Sequence, residues 1–127
     1  MIDLYPKVCN LCGGEVVYIS NAWVYGKEYG SGRCYYCVKC GAYVGTHKVR
    51  PMQAMGILAD KEMRDMKMKC HDLFDAKWKG KSKQHHARDL AYTRLAKKMG
   101  IPKEDCHFGY FDTEQLNKAY KILEEWK

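Results

Sequence analysis

Cys9-Asn-Leu-Cys12-Gly13-Gly14 and Cys37-Val-Lys-Cys40-Gly41 are two C-x2-C-G units separated by 24 residues. Cysteines at this spacing suit metal capture. Zn(II) takes four ligands in a tetrahedron at Zn–S distances of about 2.3 Å, and a tight C-x2-C turn presents two thiolates to one ion. The glycine after each second cysteine lets the backbone turn with positive φ. Buried thiols alone would give neither glycine a reason to be there. The predicted ligands are therefore Cys9, Cys12, Cys37 and Cys40. Cys34 leaves another pairing open, because Cys34-Tyr-Tyr-Cys37 is also C-x2-C. The matching glycines favour Cys37 with Cys40. Strand alternation also places Cys34 and Cys37 on opposite faces unless a turn intervenes, so Cys34 reads as a buried thiol. His47 is a further substitute ligand to weigh. Four thiolates leave no open coordination position, so the cofactor expected is one structural Zn(II) ion.

The setting agrees with metal use of the cysteines. Seven cysteines is an odd number, and the first residues carry no charged segment followed by an apolar stretch, so neither a signal peptide nor a disulfide framework is expected. No apolar run approaches the roughly 20 residues that span a bilayer. A cytoplasmic protein with no membrane partner is the expectation.

Charge points to a second kind of chemistry. The formal net charge is +7. Lys77 to Lys98 contains six Lys, two Arg and one Asp, a net of +7, so the remainder of the chain is balanced. Concentrated positive charge suits a polyanion or an acidic protein surface. Lys77, Lys79, Lys81, Lys83, Arg88 and Arg94 are the predicted phosphate contacts. The plainer reading is a solvated loop and the outer face of a helix. His85 and His86 lie in the same stretch, where neighbouring cations oppose their protonation. Tyr18, Trp23, Tyr25, Tyr29, Tyr35, Tyr36 and Tyr43 crowd the first half. Aromatic rings beside cations are a means of holding single strands, although some of these rings must form the core of a segment with few aliphatics. Two or three are expected to stay exposed.

His71 and Asp75 share a helix face by their spacing of four, and His107 could join them in a second metal or acid–base site. Hydrogen bonds that tie a loop to a helix explain the same residues. No paired-acid or H-E-x2-H motif supports catalysis.

The elements that must position these residues divide at Pro51. Glu15–Tyr18, Trp23–Tyr25, Arg33–Val38 and Ala42–Val44 are rich in β-branched and aromatic residues and read as strands between glycines. Beyond Pro51 the composition favours helix. A first helix is predicted over about Asp60–Trp78, with Met66, Cys70, Leu73, Phe74 and Trp78 on its apolar face. Gly80–Gln84 reads as a basic loop. A second helix, about His86–Met99, turns Leu90, Ala91, Leu95 and Met99 inward and stops at Gly100 and Pro102. A third begins at Asp112, which with Gln115 forms a capping-box pattern, and buries Leu116, Ala119, Tyr120 and Leu123. The predicted fold is α+β: a zinc ribbon of β-hairpins over 1–50, packed as one compact unit with a three-helix region over 51–127.

CGAYVGTHK (Cys40 to Lys48), the Pro51–Arg64 segment with its LAD, and His71-x2-Phe-Asp-x2-Trp78 resemble a phage and prophage family. That family is known only as a zinc-finger-containing domain of uncharacterised function. AYTRLAKKMGI (Ala91–Ile101) and CHFGYFD (Cys106–Asp112) resemble it too. The chain departs from the pattern near Pro51, where Met-Gln-Ala-Met replaces a shorter glycine-rich turn, and around Lys81–Arg88. The resemblance implies a zinc ribbon followed by helices and a bacteriophage or mobile-element origin. It implies no activity. The first ribbon half also resembles C-terminal zinc ribbons of type I topoisomerases, which contact single-stranded DNA.

The expected function is nucleic-acid binding, single-stranded DNA favoured, through the basic helical stretch and the ribbon aromatics. One alternative is a non-enzymatic protein that binds or inhibits an acidic host protein. A second is a nuclease-like enzyme using His71, Asp75 and His107.

Overall fold

The computed structural model describes residues 2–126. The protein is α+β and divides into two compact units, one reaching to Glu62 and the other starting at Met63. The change of composition at Pro51 falls inside the first unit. Ala54 N–H donates to the Leu4 carbonyl (2.8 Å), and Ala59 exchanges two backbone hydrogen bonds with Tyr43 (3.0 and 3.2 Å). The segment after Pro51 thus stays with the sheet before the first long helix begins.

The first unit is a three-stranded antiparallel sheet in the order β1 (Val16–Ser20), β2 (Arg33–Cys37), β3 (Tyr43–Gly45). Val16 pairs with Cys37, Tyr18 with Tyr35, and Tyr35 with Val44. Side chains alternate across a strand, so one face carries Val16, Tyr35, Cys37 and Val44. These four pack in one cluster with Cys9, Ala42, Ala54 and Leu58.

Trp23–Tyr25 departs from the strand expected there and lies in the single helical turn α1 (Ala22–Tyr25). The cause is local. The Asn21 carbonyl accepts from the N–H groups of Val24 and Tyr25, and Gly26 closes the turn at φ 86°, donating to the Ala22 carbonyl. A left-handed glycine at this position ends a helix at no Cβ penalty.

The second unit contains most of α2 (Lys61–Asp75), then α3 (Gln84–Met99) and α4 (Thr113–Glu125). Two short 3-10 turns, Lys103–Asp105 and Phe108–Tyr110, precede α4. Helix α2 buries Met63, Cys70 and Phe74, with Met66, Leu73 and Trp78 half-buried in and just after it. Helix α3 buries Ala91, Leu95, Ala96 and Met99. Leu90, expected inside, is 48% exposed, and Ala96 takes the inward place. Asp112 caps α4 as predicted: its side chain accepts from Gln115 N–H, and the Gln115 side chain accepts from Asp112 N–H. Leu116, Ala119 and Leu123 form its buried stripe, with Tyr120 half-buried. Among the described residues no helix is long and apolar enough to cross a membrane.

Candidate metal centre and basic groove

The two C-x2-C units fold into matching turns. In the first, Cys9 N–H donates to the Gly14 carbonyl (2.9 Å) and Gly13 N–H donates to the Cys9 carbonyl (2.9 Å). In the second, Cys37 N–H donates to Ala42 (2.8 Å) and Gly41 N–H donates to Cys37 (3.0 Å). Gly13 and Gly41 sit at φ 76° and 81° in equivalent places, the left-handed conformation expected after each second cysteine. The turns differ at the next position. A Cβ on Gly14 would lie 2.7 Å from Lys39 Cβ and 3.0 Å from Cys37 Sγ, whereas Ala42 is accommodated. Gly14 lets one turn close on the other.

The Sγ atoms of Cys9, Cys12, Cys37 and Cys40 all lie within 4.8 Å of one another. Cys9 Sγ is 3.8 Å from Cys40 Sγ, and Cys12 Sγ is 3.4 Å from Cys37 Sγ. A tetrahedron with Zn–S bonds of about 2.3 Å has edges of about 3.8 Å, so the sulfur spacing fits one zinc ion. Backbone donors face the sulfurs: Leu11 N–H to Cys9 (3.3 Å), Gly14 N–H to Cys12 (3.3 Å) and Cys40 N–H to Cys37 (3.5 Å). The Cys40 N–H is the main reason the Cys37 thiol is pulled down to about 6. At Cys40 the Ala42 N–H favours the thiolate, but burial and the three neighbouring sulfurs outweigh it and push the thiol up to about 12. Four like charges this close cannot all form on their own, and a dication removes that conflict.

Cys34 is buried on the opposite sheet face, paired with Ile19 and Gly45, and burial pushes its thiol up. It does not belong to the sulfur cluster, and neither does His47. Asn10 braces the site from inside the first C-x2-C turn. Its side-chain amide donates to the Leu58 carbonyl (3.0 Å) and accepts from Leu58 N–H (2.9 Å). A lone asparagine inside C-x2-C gives no sign of a partner 48 residues away.

His71, Asp75 and His107 do not converge as ligands, the four cysteines being the one such group among the described residues. His71 packs edge-on against Phe108 (4.7 Å between centroids), and burial lowers its pKa. Asp75 pairs with Lys79 (3.3 Å), and His107 lies against Tyr110 (4.6 Å).

The basic stretch forms a groove in the second unit, about 850 Å³ in volume. Lys77, Lys81, Lys83, His86 and Arg94 line it, together with Trp126, and no carboxylate does among the described lining residues. Ala87, Leu90 and Ala91 supply apolar surface. The predicted phosphate contacts are used unequally. Lys77 Nζ donates to the Trp126 carbonyl (2.6 Å), and Arg94 stacks over the Trp126 ring (4.9 Å). Lys79 is paired with Asp75, and Arg88 lies between the rings of Trp78 (5.7 Å) and Tyr92 (4.9 Å). Lys81 and Lys83 are exposed on the groove. Lys83 is the one non-glycine residue described with positive φ (59°), and it precedes α3 without a side-chain cap. The start of α3 thus places Lys83 and Arg88 near the positive end of the helix dipole, where cations are unfavourable. Local sequence gives no sign of this role for Trp126, because it depends on the segment after α4 returning to α3.

Residues 5–126 match the profile of a family described as a zinc-finger-containing domain, of unknown function. No curated protein and no solved structure matches the chain.

Proposed function

The chain belongs to this zinc-finger-containing domain family, and from that premise we propose that it is a nucleic-acid-binding protein built on one structural zinc ion. Cys9, Cys12, Cys37 and Cys40 would hold the ion, and its contribution is to the folding of the first unit. The observation that carries the binding reading is the groove lined by cations, with no carboxylate among the described lining residues. Two of its lysines, Lys81 and Lys83, lie just before the start of α3, where the helix dipole opposes cations, and phosphate groups would relieve that repulsion. Lys81 and Lys83 are the primary phosphate contacts. Lys79 and Arg88 flank them, and Lys77 and Arg94 shape the wall around Trp126. The resemblance of Cys40–Lys48 and Ala91–Ile101 to a phage and prophage family supports reading this binding as part of phage or mobile-element biology.

The test is binding of the zinc-loaded chain to labelled single-stranded DNA, duplex DNA and RNA across a salt series. The expected result is affinity that falls as salt rises, with each phosphate contact adding about 0.7 to the slope on a single strand. Lys81→Glu with Lys83→Glu should weaken all targets and flatten the slope. Absence of binding at low salt would rule the reading out. An acidic protein partner is the second reading, favoured by one observation: Leu90, half exposed within the groove lining, offers an apolar contact among the cations. A complex recovered from nuclease-treated host lysate and lost with the same charge reversals would support it.

A further inference from the structure

Residues 21–32 of the first unit connect β1 to β2 through α1. This connection is well braced. The buried Asn21 side chain donates to the Tyr29 carbonyl (2.8 Å) and accepts from Tyr29 N–H (3.2 Å). Asn21 N–H donates to Gly32 (2.9 Å), and Gly32 N–H donates to Tyr29 (2.8 Å). The Ser20 hydroxyl donates to Glu28 (2.6 Å) and accepts from Ala22 N–H (3.2 Å). A loop tied this firmly could have turned its rings inward. Instead Trp23 is 83% exposed, Tyr29 52% and Tyr25 49%.

The rings carried by the strands are more enclosed. Tyr35 is buried, Tyr36 and Tyr43 are half-buried, and the Tyr18 hydroxyl donates to the Pro51 carbonyl (2.7 Å). Around the loop Tyr25 stands edge-on to Tyr29 (5.7 Å) and to Tyr43 (6.0 Å). Lys27 Nζ lies 5.2 Å from the Tyr29 centroid, and Arg33 is exposed at the start of β2. The single carboxylate of the loop, Glu28, is turned back onto Ser20. The loop therefore presents exposed rings, with Lys27 over one face of Tyr29, on a backbone that has little ordering entropy left to lose.

We infer that this loop is a stacking platform for the unpaired bases of a single strand, with Trp23 as the principal contact and Tyr29 as the second. The inference rests on the nucleic-acid reading and extends it, since the groove offers charge to any phosphate chain and the platform selects strands whose bases are free. Stacking accepts every base, so the platform confers preference for single strands without sequence preference.

The experiment compares a thymine 15-mer, an abasic strand of the same length and charge, and a duplex, each bound by the zinc-loaded full chain. Trp23→Ala is expected to weaken the thymine strand about 5- to 150-fold, the range that one base–aromatic stack spans. It should leave the abasic strand, the duplex and the salt slope unchanged, and Trp23→Phe should restore most of the loss. Trp23 is exposed enough that folding should survive, and retained zinc would verify this. Equal thymine-strand affinity in Trp23→Ala, with salt-dependent binding intact, overturns the platform and leaves the nucleic-acid reading standing. No binding by the unaltered chain overturns both. A dimer of the chain that dissociates in Trp23→Ala assigns the rings to a second copy and also overturns the platform.

Discussion

The two units reach a folded state by different means. Up to Glu62 the buried cluster is Cys9, Val16, Tyr35, Cys37, Ala42, Val44, Ala54 and Leu58, with one aromatic ring and three large aliphatics. From Met63 onward Phe74, Phe108, Phe111, Leu95, Leu116 and Leu123 are all buried. Each large apolar side chain contributes roughly 1.5–3 kcal/mol when fully buried. The second unit can rest on that sum. In the first, two of the eight core residues are cysteines whose sulfurs face two more. A metal at that point would join both C-x2-C turns and stand in for the missing apolar volume. A small unit can be poor in core if its few buried groups share one strong centre.

That contrast can be broken most forcefully by removing the metal. Chelation, or Cys37→Ser, should abolish zinc binding and unfold the first unit, a loss on the order of 10 kcal/mol by comparison with zinc-finger peptides. Hydrogen exchange should then show protection lost across β1–β3 and kept in α3 and α4. Simultaneous loss in both units would erase the distinction. The reciprocal test is Phe74→Ala. It should destabilise the second unit by about 3–5 kcal/mol in urea denaturation, with zinc affinity unchanged by competition titration.

Alkaline pH should weaken the second unit through its buried thiols. Burial raises the Cys70 and Cys106 thiols to about 11 from a usual 9.0. The folded state therefore keeps protons that the unfolded state releases. The stability this contributes is complete below pH 9.0 and declines as pH rises toward 11. Urea midpoints read from helical circular dichroism should fall over that window, and Cys70→Ala with Cys106→Ala should flatten the fall.

Smaller changes sharpen the comparison. Gly14→Ala forces a methyl against Lys39 and Cys37. It should cost about 1–3 kcal/mol, as overpacking does, and appear as weaker zinc affinity. The equivalent Ala42→Gly should leave the metal site intact. Asp112→Ala removes the α4 capping box and should cost about 1 kcal/mol, seen in the urea midpoint of the second unit alone.

What could be read in the sequence shares a common character: it depends on residues close together in the chain. The two C-x2-C-G turns, the left-handed glycines, the buried Cys34 and the Asp112–Gln115 cap all follow from spacing and local backbone chemistry. Trp23–Tyr25 shows the limit of composition. Its residues favour a strand, yet hydrogen bonds from Val24 and Tyr25 to Asn21, with Gly26 as the cap, close a helical turn. Leu90 shows the limit of periodicity. It lies next to Ala91 on a helix with weak amphipathic character, and the packing of Leu95 and Ala96 decides which side turns inward.

By itself the sequence determined the mixed α and β character, the four cysteines that meet, and the segment that carries the excess charge. Each of these depends on residue type and short spacing, which a chain retains before it folds. The tertiary structure alone decided which cations face a common groove, which are engaged by Asp75 and Trp126, and which ribbon rings remain in solvent. Those outcomes depend on partners dozens of residues apart, such as Lys77 with Trp126 and Asn10 with Leu58. No local preference encodes such pairs, because the contact exists only once the intervening chain has been packed into place.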